Sequence, residues 1–468
     1  GGINEDPHQL PVMKAAEYRT YLSQLIASGG ANQQQIADMP WMIDNRNSGS
    51  YYQYHNQTNW QDQVFKSSTN QSYYLKIRGG DEIAKYGISV GYLNSEGIAG
   101  NSDLQRYNTR LNAALRLTEK LYVDANLSFI YNNENQNNQG LAYKTSPLHL
   151  ALTKSPFTAV NAINEIGEVS PNLADVDIFD VSNPTAIINN GIGINKNYRF
   201  FGNLKFQYEI NKSLKANLLV GLTYNKEREN FFIPDFGVAD IILPSSFLAT
   251  NRSGSEVQRY YSLYTDGYFS FNKNFNFKDN LDVRLGLRTQ SNESESDLGL
   301  GFNSATDDFT TVGAGSNLLR QVGGALGEWN WVNAYLSAEY SHLNKYYLTL
   351  NAAYDGSSRF GKEVKLQALG SLSAAWLVSS ENFMKNSGID LFKLRTSIGV
   401  SGNDDLGNYT AQQLYISPNF LGVQGLVRGN IGNPKLKPES VIKFNFGTDL
   451  ALFKGKPLNF KEKLNNFN

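Results

Sequence analysis

The chain has 468 residues, a formal net charge of -1, only 18% charged residues, no cysteine, 27 Tyr, 26 Phe and 41 Gly. The missing cysteines exclude disulfide staples, thiolate metal sites and cysteine nucleophiles; the absence of a basic block excludes a nucleic-acid footprint. No apolar run approaches the roughly 18 residues of a membrane-spanning helix, and mean hydropathy is -0.41, although length alone would allow two to four ordinary domains.

The chain opens at Gly1-Gly2 without a signal-peptide pattern, which implies a mature form or an incomplete sequence. Residues 1–70 read as an extracellular loop region with a short helix. Val12, Ala15, Ala16, Tyr18, Leu22 and Ile26 fall at helical spacing over 11–27, and 60–65 predicts a further helical turn. From 71 to 468 the chain reads as β-hairpins of an incomplete barrel. Tyr107, Thr109, Leu111, Ala113, Leu115 and Leu117 share one face, and Asn108, Arg110, Asn112 and Arg116 the other. After a turn at 118–120, Leu121, Val123, Ala125, Leu127, Phe129 and Tyr131 continue the apolar face. Each strand runs about 10 residues, the length a tilted strand needs to cross a bilayer. The same pattern joins 198–208 to 214–224, 261–271 to 281–289, and 332–340 to 346–354. Past Phe453 the alternation fades.

Short turns close these hairpins, and long polar stretches at 132–187, 225–258, 290–327 and 401–432 separate them. Transmembrane barrels have short periplasmic turns and long extracellular loops, so the outer face is where a large ligand would be met. A soluble β-sandwich or solenoid also alternates. Its strands average about 5–6 residues, however, and would not need Tyr107, Tyr131, Tyr198, Tyr208, Tyr224, Tyr346 and Tyr354 near strand ends on the apolar face, as an interfacial girdle does. The expected fold is therefore all-β, a transmembrane antiparallel β-barrel in which 14 to 16 strands can be counted.

Several segments carry a family resemblance. TNWQDQVF (58–65, with Trp60 and Asp62) resembles the T-D-W-Q-D-x-[IV]-F signature of SusC/RagA TonB-dependent transporters, with Asn59 in place of its Asp. YDGSSRFG (354–361, with Asp355, Gly356, Ser357, Ser358, Arg359, Phe360 and Gly361) is similar to its D-G-S-S-R-F-G. SLSAAW (371–376, ending in Trp376) and ENFMK (381–385) follow, with Gly370 where the family often has Pro. LRTSIGVSGNDDLGNY (394–409, with Gly402 and Asn403) and GNPKLKPE (432–439, with Asn433 and Pro434) complete the set in family order. The resemblance implies a barrel of about 22 strands, with a plug domain and TonB-contacting segment that these residues do not include. It also implies energised import of an oligosaccharide or peptide across the outer membrane. A SusD-like lipoprotein would be the partner on the surface, and the TonB complex would act through the plug. A siderophore, haem or cobalamin receptor would share the barrel without those motifs, and a structural or secretion-associated barrel component is a further alternative.

Chemistry-bearing candidates are few. A turn at 355–358 could use Gly356 at positive φ, with Asp or Ser bonding local backbone, leaving Arg359 to pair with a lumen or plug carboxylate. Trp376 reads as an interfacial anchor rather than a sugar platform. Asp175, Asp177 and Asp180 form a weak calcium candidate, lacking the Gly and spacing of a known calcium loop. Asp307-Asp308 and Asp404-Asp405 read as solvated loop charges, and the Gly-rich 313–317 and 322–327 as flexible loops. His8, His55, His149 and His342 are scattered and adjoin no G-x-S-x-G, so no catalytic or cofactor-binding residue is assigned and no enzyme is expected.

Overall fold

The computed structural model describes the chain except residues 1, 5–8 (which include His8), 139–143, 386, 418, 421–422, 453–457 (which include Phe453) and 467–468. Antiparallel hairpins build one sheet of 15 strands, each pairing with the next in sequence. Its edges are the strands Gly2–Asn4 and Leu458–Asn466, and it is open between them among the described residues. Two expectations change at these ends. Residues 2–4 pair with Ser68–Asn70, so 1–70 is not all loop. At the other end, Leu458–Asn466 extends the sheet where alternation had faded, because a ladder needs backbone pairing rather than an amphipathic pattern.

Period two is kept across the whole sheet. Leu204, Val220, Thr265, Thr289 and Val332 are register partners in turn, as are Lys205, Leu219, Asp266, Arg288, Asn333 and Asp355 on the opposite face. The first face carries exposed apolar side chains (Leu75 63%, Leu285 59%, Ile77 54%), and the second carries charges and amides. On the apolar face Tyr73, Tyr92, Tyr107, Tyr131 and Tyr198 form a ladder over five strands, with centroids 6.4, 4.9, 6.1 and 4.7 Å apart. Tyr208 lies on the same face of the same strand as Tyr198, ten residues on. At about 3.3 Å per residue and about 40° of tilt, that separation rises about 25 Å, the height of the apolar band of outer-membrane barrels.

The strands are longer than the expected 10 residues. Arg252–Phe275 and Asp279–Phe302 have 24 residues each and pair along their full length. They run on into stretches expected to be loop, and Val322–Gly327 lies within the strand Gln321–His342. The reason is physical: beyond the apolar band both faces meet water, so the ladder persists after amphipathic alternation stops. The connections at 136–191, 234–251 and 303–320 are correspondingly narrower.

Short turns lie on one side. The turn at 343–345 places Leu343 and Asn344 at φ of 54° and 52°, and the turn at 276–278 places Asn276 and Phe277 at 52° and 58°; positive φ suits tight hairpins. The opposite side carries the described residues of the connections 9–67, 97–102, 136–191, 234–251, 303–320, 358–365 and 404–438. The packed apolar clusters lie on that loop side. One gathers Ala15, Leu22, Trp41 and Phe157; a second gathers Leu150, Ile187 and Val238; a third gathers Leu243, Ala249 and Phe302. Among the described residues the sheet has no such core away from the loop side, because its apolar face is turned outward.

Candidate functional site

The 58–65 segment ties the loops together. Asn59 caps the helix Trp60–Val64 by accepting from Gln61 N. Trp60 is 2% exposed, and its Nε1 donates to Ser155 O at 3.0 Å. Thr58 Oγ1 donates to Thr158 O at 2.6 Å. Gln61 exchanges two bonds with the backbone of Leu10, at 2.9 and 2.8 Å, and Asp62 accepts from Gln9. Val64 O accepts from Gly100 N at 3.0 Å, and Phe65 bridges to Ala99. Three loops are thereby pinned to one short helix.

Beneath Trp60 lies a buried ion pair. Lys154 Nζ donates to Asp177 Oδ2 at 3.0 Å, with the two side chains 1% and 4% exposed, and the ammonium sits 5.4 Å from the indole centroid. Burial pushes the Lys154 pKa below the ordinary lysine value, and Asp177 partly offsets that. Asp177 Oδ1 also accepts from Phe179 N and Val181 N. Asp180 pairs with Lys144 at 2.7 Å, and Asp175 accepts from Gly237 N at 2.9 Å. The three carboxylates thus serve separate loop contacts, and among the described residues no group of three or more could hold a metal.

The second constellation sits at the loop-side rim. Gly356 lies within the strand Tyr346–Ser357 and not at positive φ; a Cβ there would press on Leu366 Cδ2 at 2.8 Å and Val332 Cγ1 at 3.0 Å. Asp355 reaches across the sheet to accept from Asn333 Nδ2 instead of bonding local backbone. The serines do make the turn: Ser357 Oγ accepts from Arg359 N, while Ser358 exchanges bonds with the backbone of Asn330. Arg359 stacks its guanidinium 4.3 Å from the Trp329 centroid and donates through Nε to Asn408 at 3.0 Å. Asp405, on a neighbouring rim loop, lies 3.9 Å away.

Gly361 N donates to Leu436 O, and Glu363 N to Pro434 O, both at 2.9 Å. A Cβ on Gly361 would collide with the Pro434 backbone. Asn433 caps its own turn by accepting from Lys435 N. Asn403 does the same for Asp405 N, and a Cβ at Gly402 would lie 2.9 Å from Gln367 Oε1. The two motifs 355–361 and 432–436 therefore meet by backbone pairing. Asp307 is not merely solvated: it accepts from Asp235 N, Phe236 N and Asn251 Nδ2. Trp376 lies on the turn side, stacked 6.3 Å from Tyr346, and donates to Glu381, which also accepts from Tyr346 and Lys345.

The alternation of the sequence anticipates a charged lumenal face, with Arg288 on it, but not the contacts made there below the rim. Arg288 donates to Asp266 at 3.2 Å and lies 3.9 Å from the Tyr335 centroid, and Tyr335 donates to Asp266 at 2.9 Å. Above it Gln290, Trp329, Trp331, Asp355, Phe360, Gln367, Asn403 and Asp404 line a cavity of about 300 Å³. The available signal was parity: Trp329 and Trp331 share a face with Asn333 and Tyr335.

The profile of the family described as "TonB dependent receptor-like, beta-barrel" matches residues 171–461, so the chain belongs to that family of outer-membrane β-barrel proteins. A receptor of Formosa agariphila, TonB-dependent receptor P3, is 25% identical over 87% of the chain and 40% of its own length. TonB-dependent receptor SusC of Bacteroides thetaiotaomicron is 24% identical over 85% of the chain and 41% of its own length. The chain spans about two fifths of the curated relatives it matches. In fold it is similar to the RagAB peptide importer in its closed-closed state, with a TM-score of 0.78 and 20% identity over 99% of this chain and 54% of that one. The chain is thus similar to SusC and to the RagAB barrel in sequence and fold, and a barrel of this family turns the polar face of its sheet to the lumen.

Proposed function

We propose that these residues form the wall and mouth of an energised importer for a bulky nutrient, an oligosaccharide or a peptide. The whole protein would add a plug, complete a barrel of about 22 strands and draw energy from TonB. A SusD-like lipoprotein would seat on the loop side. One observation carries the reading: the loops interlock with their neighbours on one side only, above a lumenal wall of charges, amides and aromatics. A wall packed for stability alone would be apolar, and an enzyme would need a nucleophile–base pair at the rim. The relatives' names support import, since SusC and RagAB are a TonB-dependent receptor and a peptide importer.

Deleting the gene in its own bacterium and measuring uptake of labelled oligosaccharide and peptide pools, with and without a protonophore, tests this. Energy-dependent uptake that disappears on deletion, with a lipoprotein copurifying, supports it. Unchanged uptake together with a stable complex lacking any surface lipoprotein would overturn it. Loss of iron-chelate uptake alone would favour a siderophore or haem receptor.

A further inference from the structure

We infer that the cavity between Trp331, Phe360 and Asp355 is a subsite for one neutral sugar ring of an oligosaccharide. This rests on the import reading and deepens it, choosing sugar over peptide. A sugar ring presents apolar C–H faces and a rim of hydroxyls, each both donor and acceptor, so its site needs an aromatic wall beside amides and carboxylates. The cavity supplies both. Trp331 and Trp329 stand on adjacent lumenal positions of one strand, and Phe360 closes the space from the rim loop. Arg359 occupies one face of Trp329, whereas no ring or cation stacks on Trp331 among the described residues, which leaves it as the platform.

Around that platform, Asp355 and Asp404 offer acceptors, while Gln290, Gln367 and Asn403 offer both roles. Neither indole N–H has an acceptor among the described residues, and both remain free to donate. The volume, about 300 Å³, is at the small end for ligand sites and suits one ring rather than a chain.

The charge chooses the sugar. The lining holds two carboxylates and no Lys or Arg, and Arg359 beside it is engaged with Trp329, Asn408 and Asp405, so a uronic acid or sulfated ring would meet like charge that neutral amide donors do not neutralise. A peptide's charged ends would instead call for cationic and anionic groups together, and the charged side chains of this lining are carboxylates alone.

The test uses the full-length receptor with a microarray of neutral and acidic oligosaccharides and a random hexapeptide library, comparing wild type with Trp331→Ala, Trp331→Phe and Asp355→Asn. Heat-modifiable gel migration confirms that each variant is folded. The expected result is binding to neutral glycans, weakened on the order of tenfold by Trp331→Ala and less by Trp331→Phe, with Asp355→Asn also weaker. Binding only to peptides or acidic glycans, no glycan binding at all, or neutral-glycan binding unchanged in Trp331→Ala overturns it. A peptide-only result leaves the import reading standing; uptake of every pool unchanged by deletion of the gene removes that reading instead.

Discussion

At the residue scale, the chemistry-bearing motifs act first as fasteners. Lys154 and Asp177 are almost fully buried beneath Trp60. Removing one member of such a pair strands a buried charge and costs about 3–5 kcal/mol, whereas replacing both with apolar groups is often neutral. Lys154→Met should therefore loosen the segment 144–183, read as faster hydrogen exchange, and adding Asp177→Leu should restore much of the protection; equal exchange in the single variant would contradict the pairing. A lowered lysine pKa means the unfolded chain holds that proton more tightly. The cost of burying the ammonium is complete below the folded pKa and is relieved as pH rises from there toward the ordinary value near 10.5. Glu381 runs the other way. Bonds from Tyr346, Lys345 and Trp376 hold its carboxyl below the usual range. Its contribution is complete above the ordinary glutamate value of 4.5 and is lost as pH falls through the lower folded value. The Trp376 emission, taken as wild type minus Trp376→Phe, should stay constant from pH 7 to about 5 and shift only in stronger acid; a shift near neutrality would contradict this.

At the element scale, the strands separate lipid from lumen residue by residue. An arginine on the lipid face near the bilayer midplane costs about 2–4 kcal/mol, while lumenal positions tolerate charge. Leu285→Arg should thus lower the yield of folded barrel in outer-membrane fractions, and Asn351→Arg on the lumenal face should not; equal yields would contradict the assignment of faces. This alternation was the part legible in sequence, because Tyr107 to Tyr131 shows it without any long-range information. The far halves of the strands were not legible. Val322 to Gly327 reads as a flexible glycine-rich loop, yet it pairs with 294–299, since a ladder above the membrane requires no apolar face. The candidate site was legible as motifs and not as contacts. Trp60 meets Ser155, 95 residues away, and Gly361 meets Leu436 through backbone atoms that carry no sequence signature. Trp331 belonged to no motif, and only its parity with Asn333 tied it to the lumen.

At the scale of the molecule, the two sides of the sheet differ in kind. Tight turns with left-handed residues lie on one side, and loops with their own apolar cores lie on the other. A membrane barrel must place those cores outside the bilayer, because the apolar face of its sheet is already committed to lipid. That sidedness can be read directly, since these 468 residues contain no cysteine and an introduced thiol is unique among them. Ile242 is 76% exposed in the 234–251 loop, and Phe277 is fully exposed at a turn tip. The decisive measurement is labelling of Ile242→Cys and Phe277→Cys receptors in intact cells with a membrane-impermeant maleimide. Cysteine 242 should react in intact cells and cysteine 277 only after the outer membrane is permeabilised; the reverse order, or equal labelling of both in intact cells, would contradict a barrel wall with its binding mouth outside.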